Sequence, residues 1–276
     1  MANYTAADIK ALREKTAAGM MDVKKALDEA DGDMAKAEEI LRVKGQKGVT
    51  KREGRTTSNG LVTATASGGV GTLVEVLCET DFVAKGDLFG ALAKQVLDQA
   101  VASGATDAES LLASTLPEGK TVQTLLDEAN ATIGEKIEVK RVARIEGANV
   151  AYYLHRTSPD LPAQIGVLVG INGGDEATAK DIAMHIAAFS PTVLSREHVP
   201  AETVENERRV AEATAKEEGK PEAALPRIVE GRVNGFFKEN VLVEQAFAKD
   251  PKKSVSQVLK DAGAEAQAFA RFRVGS

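Results

Sequence analysis

The chain has 276 residues, 43% of them hydrophobic and 28% charged, the mixture of a folded protein with buried cores and room for more than one domain; disordered and fibrous classes are excluded. A net charge of -6 and an aromatic content of 4%, with no Trp, oppose a surface that binds phosphate backbones or stacks bases. Cys78 is the only cysteine, which rules out an intrachain disulfide and a zinc site built on several thiolates, and fits a reducing, cytoplasmic setting. Met1 to Lys10 lacks the basic start and apolar run of a signal peptide, and no stretch approaches the ~20 apolar residues that span a bilayer, so no membrane association is expected.

Thr5 and Asp8 mark the first helix start, with Ile9 and Leu12 facing inward. Gly19 breaks that helix, Asp22 is expected to cap a second through Ala30, and Asp31-Gly32-Asp33 turns the chain into a third through Val43. Between Lys44 and Arg55 the cations Lys44, Lys47, Lys51, Arg52 and Arg55 oppose Glu53 alone, among three glycines, and read as a flexible basic linker.

Apolar runs at Leu61 to Ala66 and Leu73 to Cys78, joined by Ser67-Gly68-Gly69, predict a β-hairpin. Asp87 opens a helix with Leu88, Leu92, Val96 and Ala100 in one stripe, short helices follow at Ala108 to Leu116 and Val122 to Ile133, and a strand at Ile137 to Ile145. The second half repeats the order: strands at Val150 to Leu154 and Ile165 to Ile171, a turn at Asn172-Gly173-Gly174, and a helix from Ala177 to Phe189 stopped by Ser190-Pro191. Ala201 to Lys238, broken at Gly219-Lys220-Pro221, predicts a protruding helical hairpin with a seam at Val204 and Ala211, before a helix from Ser254 to Asp261 and a strand from Phe269 to Val274. The expected class is α+β: an N-terminal three-helix domain with its linker (1–55), two duplicated sheet-plus-helix halves (56–146, and 147–198 with 239–276), and the inserted hairpin (199–238).

Few motifs carry chemistry. Gly119-Lys120-Thr121 lacks the first glycine of a phosphate loop, and Gly69-Val70-Gly71 lacks the third of a dinucleotide fingerprint. His155, His185 and His198 have no metal-binding or catalytic spacing; His185 falls inside a helix, and His155 follows Tyr152 and Tyr153 at a strand end, where it could be a surface contact. The most informative segment is Thr80-Asp81-Phe82-Val83, between a strand and a helix. Either Phe82 and Val83 fold back to plug that junction, or Phe82 projects from a rigid turn as a wedge for a pocket on another protein, with Asp81 beside it.

Thr16 to Leu27, TAAGMMDVKKAL, and Glu79 to Lys85, ETDFVAK, resemble the two signature segments of the elongation factor Ts family. The likeness includes the Ile165 to Val169 strand, Ala183 to Ala188 and Val229-Glu230-Gly231-Arg232, and extends over nearly the whole chain. Ala17 stands where the family usually has Gly, Leu77 where it usually has Asn, and longer members carry a further C-terminal helical module. The resemblance implies a UBA-like N-terminal unit whose Met20, Met21 and Lys24 grip the GTPase elongation factor Tu. It also implies that Thr80, Asp81, Phe82 and Val83 intrude near that partner's Mg2+ and expel it with GDP, and that His155 makes a further contact. No cofactor, metal, covalent chemistry, direct nucleic-acid binding or membrane contact is implied. Two other readings are a small-molecule enzyme using Cys78 or a histidine in a cleft between the halves, and an RNA- or ribosome-associated adaptor led by the basic linker.

Overall fold

A computed structural model describes residues 3–16 and 18–276; Met1, Ala2 and the family departure at Ala17 lie outside them. Three helices come first, α1 (Ala6–Thr16), α2 (Met20–Glu29) and α3 (Met34–Arg52). At the start of α1 the Thr5 amide donates to Asp8 Oδ2 at 2.7 Å and the Asp8 amide to Thr5 Oγ1 at 3.3 Å, which satisfies first-turn amides that have no helical partner. Leu12, Val23, Ala26, Leu27, Ala37 and Leu41 bury a small core between the helices. Gly32 turns α2 into α3 at φ 87°, where a Cβ would lie 2.5 Å from the Asn3 carbonyl oxygen, so the turn requires glycine.

The first sheet is antiparallel, in the order β1 (Asn59–Ser67), β2 (Val70–Cys78), β3 (Glu138–Glu146). Between β2 and β3 run α4 (Asp81–Ala84), α5 (Asp87–Ser103), α6 (Ala108–Ala113) and α7 (Val122–Ile133), and this helical layer covers one sheet face through Phe89, Val96, Leu111 and Leu126. The second sheet has the order β4 (Asn149–His155), β5 (Ile165–Gly173), β8 (Ala264–Arg273), with α8 (Glu176–Phe189) on its outer face. The inner faces of the two sheets meet through Val62, Leu73, Ile145, Leu168 and Phe272, giving layers of helix, sheet, sheet and helix. Strand β2, covered on both sides, is buried from Gly71 to Cys78, which accounts for its nearly unbroken apolar run. Its two buried polar residues are Thr72 and Glu75, and Glu75 accepts from Arg141 Nε at 2.5 Å.

Two local expectations are corrected. Gly19, with no side-chain bond, occupies the cap of α2, and Asp22 lies inside the first turn, where its carboxylate faces the positive helix end. The basic stretch is not a flexible linker, because α3 continues through it to Arg52. A Cβ on Gly45 would sit 2.9 Å from the Ala131 Cβ, so glycine lets α3 lie close on α7, and Arg52 Nη1 donates to the Asn130 carbonyl at 3.1 Å. Packing one face against α7 outweighs the poor helix propensity of Gly45 and Gly48.

Helices α9 (Ala201–Glu217) and α10 (Leu225–Asn240) fold against each other, burying Ala211, Val229 and Val233, with Val204 packed alongside. Arg196 fastens their root, donating through Nη2 to Glu244 at 2.7 Å and lying 4.3 Å over the Phe237 ring. A ribbon of β6 (Ala246–Phe247) and β7 (Asp250–Ser254), too short to leave a periodic signal, precedes α11 (Val255–Asp261).

Candidate partner-binding site

The corner between β2 and α4 is tied down before it presents anything to solvent. Glu135 follows Gly134, the left-handed residue that ends α7. Its Oε2 accepts the Glu79 and Thr80 amides at 3.1 and 3.0 Å, and its Oε1 accepts the Thr80 hydroxyl at 2.6 Å. Glu79 in turn accepts the Lys136 amide at 2.7 Å and Arg55 Nη1 at 3.2 Å, and these bonds, the Lys136 amide foremost, hold its carboxyl below the usual range. From the other side Asn59 Nδ2 donates to the Glu79 carbonyl at 2.9 Å and the Cys78 thiol to the Thr80 carbonyl at 3.2 Å.

On this base Thr80 caps α4, its hydroxyl accepting the Val83 amide at 3.4 Å. Lys85 Nζ donates to Asp81 Oδ2 at 2.7 Å, one turn along, and holds the Asp81 carboxyl below its usual range. The pair is exposed and adds little stability, but it fixes where a negative charge stands. The single helical turn then sends adjacent side chains opposite ways. Val83 packs on the core beneath the first sheet, whereas Phe82 is 83% exposed. The two sequence readings thus divide between neighbours: plugging describes Val83, projection describes Phe82. Leu88, at the start of α5, is 71% exposed and adds a second apolar side chain nearby in the chain.

Met20 and Met21 are 57% and 63% exposed on α2, and Lys24 is exposed one turn on, while Val23 and Leu27 fill that helix's core side. His155 ends β4, exposed, with Nδ1 3.3 Å from the Tyr153 hydroxyl. No hydrogen bond or ion pair among the described residues joins α2 or His155 to the Thr80–Val83 turn, so these stand as separate surface elements on one folded body. Sequence reasoning missed Glu135, Asn59 and Arg55 as supports of the turn. Glu135 lies 55 positions from Thr80, and no local pattern records a contact made by tertiary folding.

The family model described as Elongation factor TS matches residues 79–276, beginning at this corner. Over the full length of both chains, the sequence is 64% identical to the elongation factor Ts of Kineococcus radiotolerans and 65% identical to that of Micrococcus luteus. The chain belongs to the elongation factor Ts family.

Two of the groups that a small-molecule enzyme could use, Cys78 and His185, are engaged within the cores of this elongation factor Ts family member. Cys78 is fully buried, and burial pushes its thiol up to about 12, which leaves no thiolate for nucleophilic attack. His185 is sealed in the second core. Its Nδ1 accepts the Ala248 amide at 3.1 Å, its Nε2 therefore donates to Gln245 Oε1 at 2.8 Å, and burial lowers its pKa. Three cations of the basic stretch are likewise committed: Lys44 to Glu29 at 2.7 Å, Arg52 to the Asn130 carbonyl and Arg55 to Glu79. Among the described residues no group of three or more His, Cys, Asp or Glu is placed to hold a metal ion, and no helix is long and apolar enough to cross a membrane.

Proposed function

We propose that this chain is a guanine-nucleotide exchange factor of translation elongation, which binds elongation factor Tu with GDP, displaces the nucleotide's Mg2+ and lets GTP take the place of GDP. The observation that carries the reading is Phe82, a large apolar side chain 83% exposed on a turn anchored by Glu135 and Lys136 on one side and Asn59 on the other. An exposed aromatic on a stiff support loses little conformational entropy on docking, the property of a binding hot spot. Phe82 enters a pocket of the GTPase beside its Mg2+ site, and Asp81, oriented by Lys85, brings a carboxylate to a place where phosphates must leave. A metal that bridges phosphate oxygens neutralises much of their charge, so its displacement weakens nucleotide binding.

Burial of one Phe contributes roughly 1.5–3 kcal/mol, and about 1.4 kcal/mol is tenfold in an equilibrium constant. The wedge alone therefore supplies about one to two powers of ten, and other contacts add to it. Met20, Met21 and Lys24 on the UBA-like unit (1–55) grip the GTPase domain, His155 contacts the partner from the second half (147–198 with 239–276), and the arm at 199–238 extends the interface. Factor and nucleotide weaken each other's binding reciprocally, so GTP drives the factor off and one molecule serves many partners. No covalent bond changes, and the setting is cytoplasmic. The test is release of a fluorescent GDP analogue from purified elongation factor Tu. Catalytic amounts of the chain should accelerate it many-fold, and an unchanged release rate refutes the reading.

A further inference from the structure

We infer that Glu135 is a positioning residue for nucleotide exchange: its carboxylate sets the angle at which the Phe82 turn meets the partner. The inference rests on the proposed role of Phe82 and adds what holds that ring in place. Two acidic residues on different segments each accept a backbone amide of the other's segment. Glu135 takes the Glu79 and Thr80 amides, and Glu79 takes the Lys136 amide. Glu135 also binds the Thr80 hydroxyl, which is the cap of α4, so the carboxylate fixes both the peptide plane and the side chain from which the turn begins.

Its own place is equally determined. Gly134 at φ 84° stops α7, and buried Asn130 bonds both the amide and the carbonyl of Ile137, pinning the segment on its far side. The Asn130 carbonyl also accepts from Arg52 at the end of α3. A continuous set of bonds therefore runs from the helix that carries the N-terminal unit, through Asn130 and Glu135, to Thr80 and the wedge. These contacts tie the end of α3 to the segment that holds the wedge. A residue that merely stabilised the fold would act on every contact alike; Glu135 acts through the turn that carries Phe82.

The experiment measures release of a fluorescent GDP analogue from elongation factor Tu at saturating and subsaturating factor, for Glu135→Ala, Glu135→Gln, Phe82→Ala and the Phe82→Ala/Glu135→Ala double variant, each checked for intact thermal unfolding. Misplacing a reacting group by ~1 Å typically costs up to a hundredfold, so Glu135→Ala should lower the maximal rate roughly tenfold or more. Glutamine keeps an acceptor for the two amides and a donor for the Thr80 oxygen, and should restore most of that rate. In the Phe82→Ala background, Glu135→Ala should add less than about twofold, because both changes remove the same effect. Losses that multiply in the double variant, or a Glu135→Gln rate as low as that of Glu135→Ala, overturn the inference. If Phe82→Ala is itself fully active, the wedge reading falls first. If Phe82→Ala is impaired and Glu135→Ala is folded and fully active, the wedge stands and the positioning role is refuted.

Discussion

Replacing Gly166 with alanine probes the seam that joins the two sheets. An added Cβ would stand 2.3 Å from Val62 Cγ1 and 2.8 Å from Leu73 Cδ1. Val62 is 2% exposed and Leu73 fully buried, so neither can swing into solvent. Carbon atoms in contact prefer ~3.5–4 Å, and the seam must open by about 1 Å. Gly166 has no positive φ, so the alanine backbone is unstrained and the effect is purely steric. Overpacking of this kind costs about 1–3 kcal/mol, a sizeable part of the ~5–15 kcal/mol that holds a typical domain. Urea unfolding should show a lowered midpoint at unchanged slope. Val62→Ala, which removes the clashing methyl, should make the double variant less destabilised than the two single losses combined. Gly90 on α5 is the control, since a Cβ there meets nothing within 4 Å. If Gly166→Ala changes stability by less than about 0.5 kcal/mol, the size of a neutral surface change, the close approach of the sheets is wrong.

Cys78 should resist thiol reagents at pH 8 in the folded protein and react fully once unfolded; rapid labelling of the folded chain would contradict its burial. His185 has a pKa lowered by burial, so its contribution to stability is complete above about pH 6.5, the ordinary histidine value, and is lost as pH falls below it, because the unfolded chain takes up a proton that the fold refuses. Comparing unfolding midpoints at pH 7.5 and 5.5, His185→Gln should show a smaller drop than the parent; equal drops would refute this assignment.

The apolar patterning carried much of the architecture. The apolar runs at Leu61 to Ala66 and Val150 to Leu154 correspond to β1 and β4, and the stripe expected through Leu88, Leu92, Val96 and Ala100 to α5, except that Leu88, at the helix start beyond the core, is exposed. The stretch from Lys44 misled for a physical reason: glycines and cations mark a linker when considered alone, but Gly45 is small because α7 lies against it. Phe82 illustrates the limit at the site. Sequence offered two directions for one side chain, and the choice depends on a single turn whose base is set by Glu135, far along the chain. Hydrogen bonds between distant segments leave no spacing to read, which is why the acidic supports were invisible while the motif they hold was not.

The most direct measurement is the rate of GDP release from elongation factor Tu under saturating Phe82→Ala, compared with the parent chain and with Val83→Ala. Truncating a side chain that is 83% exposed leaves the fold intact, and loss of the roughly 1.5–3 kcal/mol that the ring gains only as it enters the pocket and the nucleotide leaves corresponds to saturated release about tenfold to a hundredfold slower. A folded Phe82→Ala chain that releases GDP as fast as the parent would contradict the claim that this ring drives exchange.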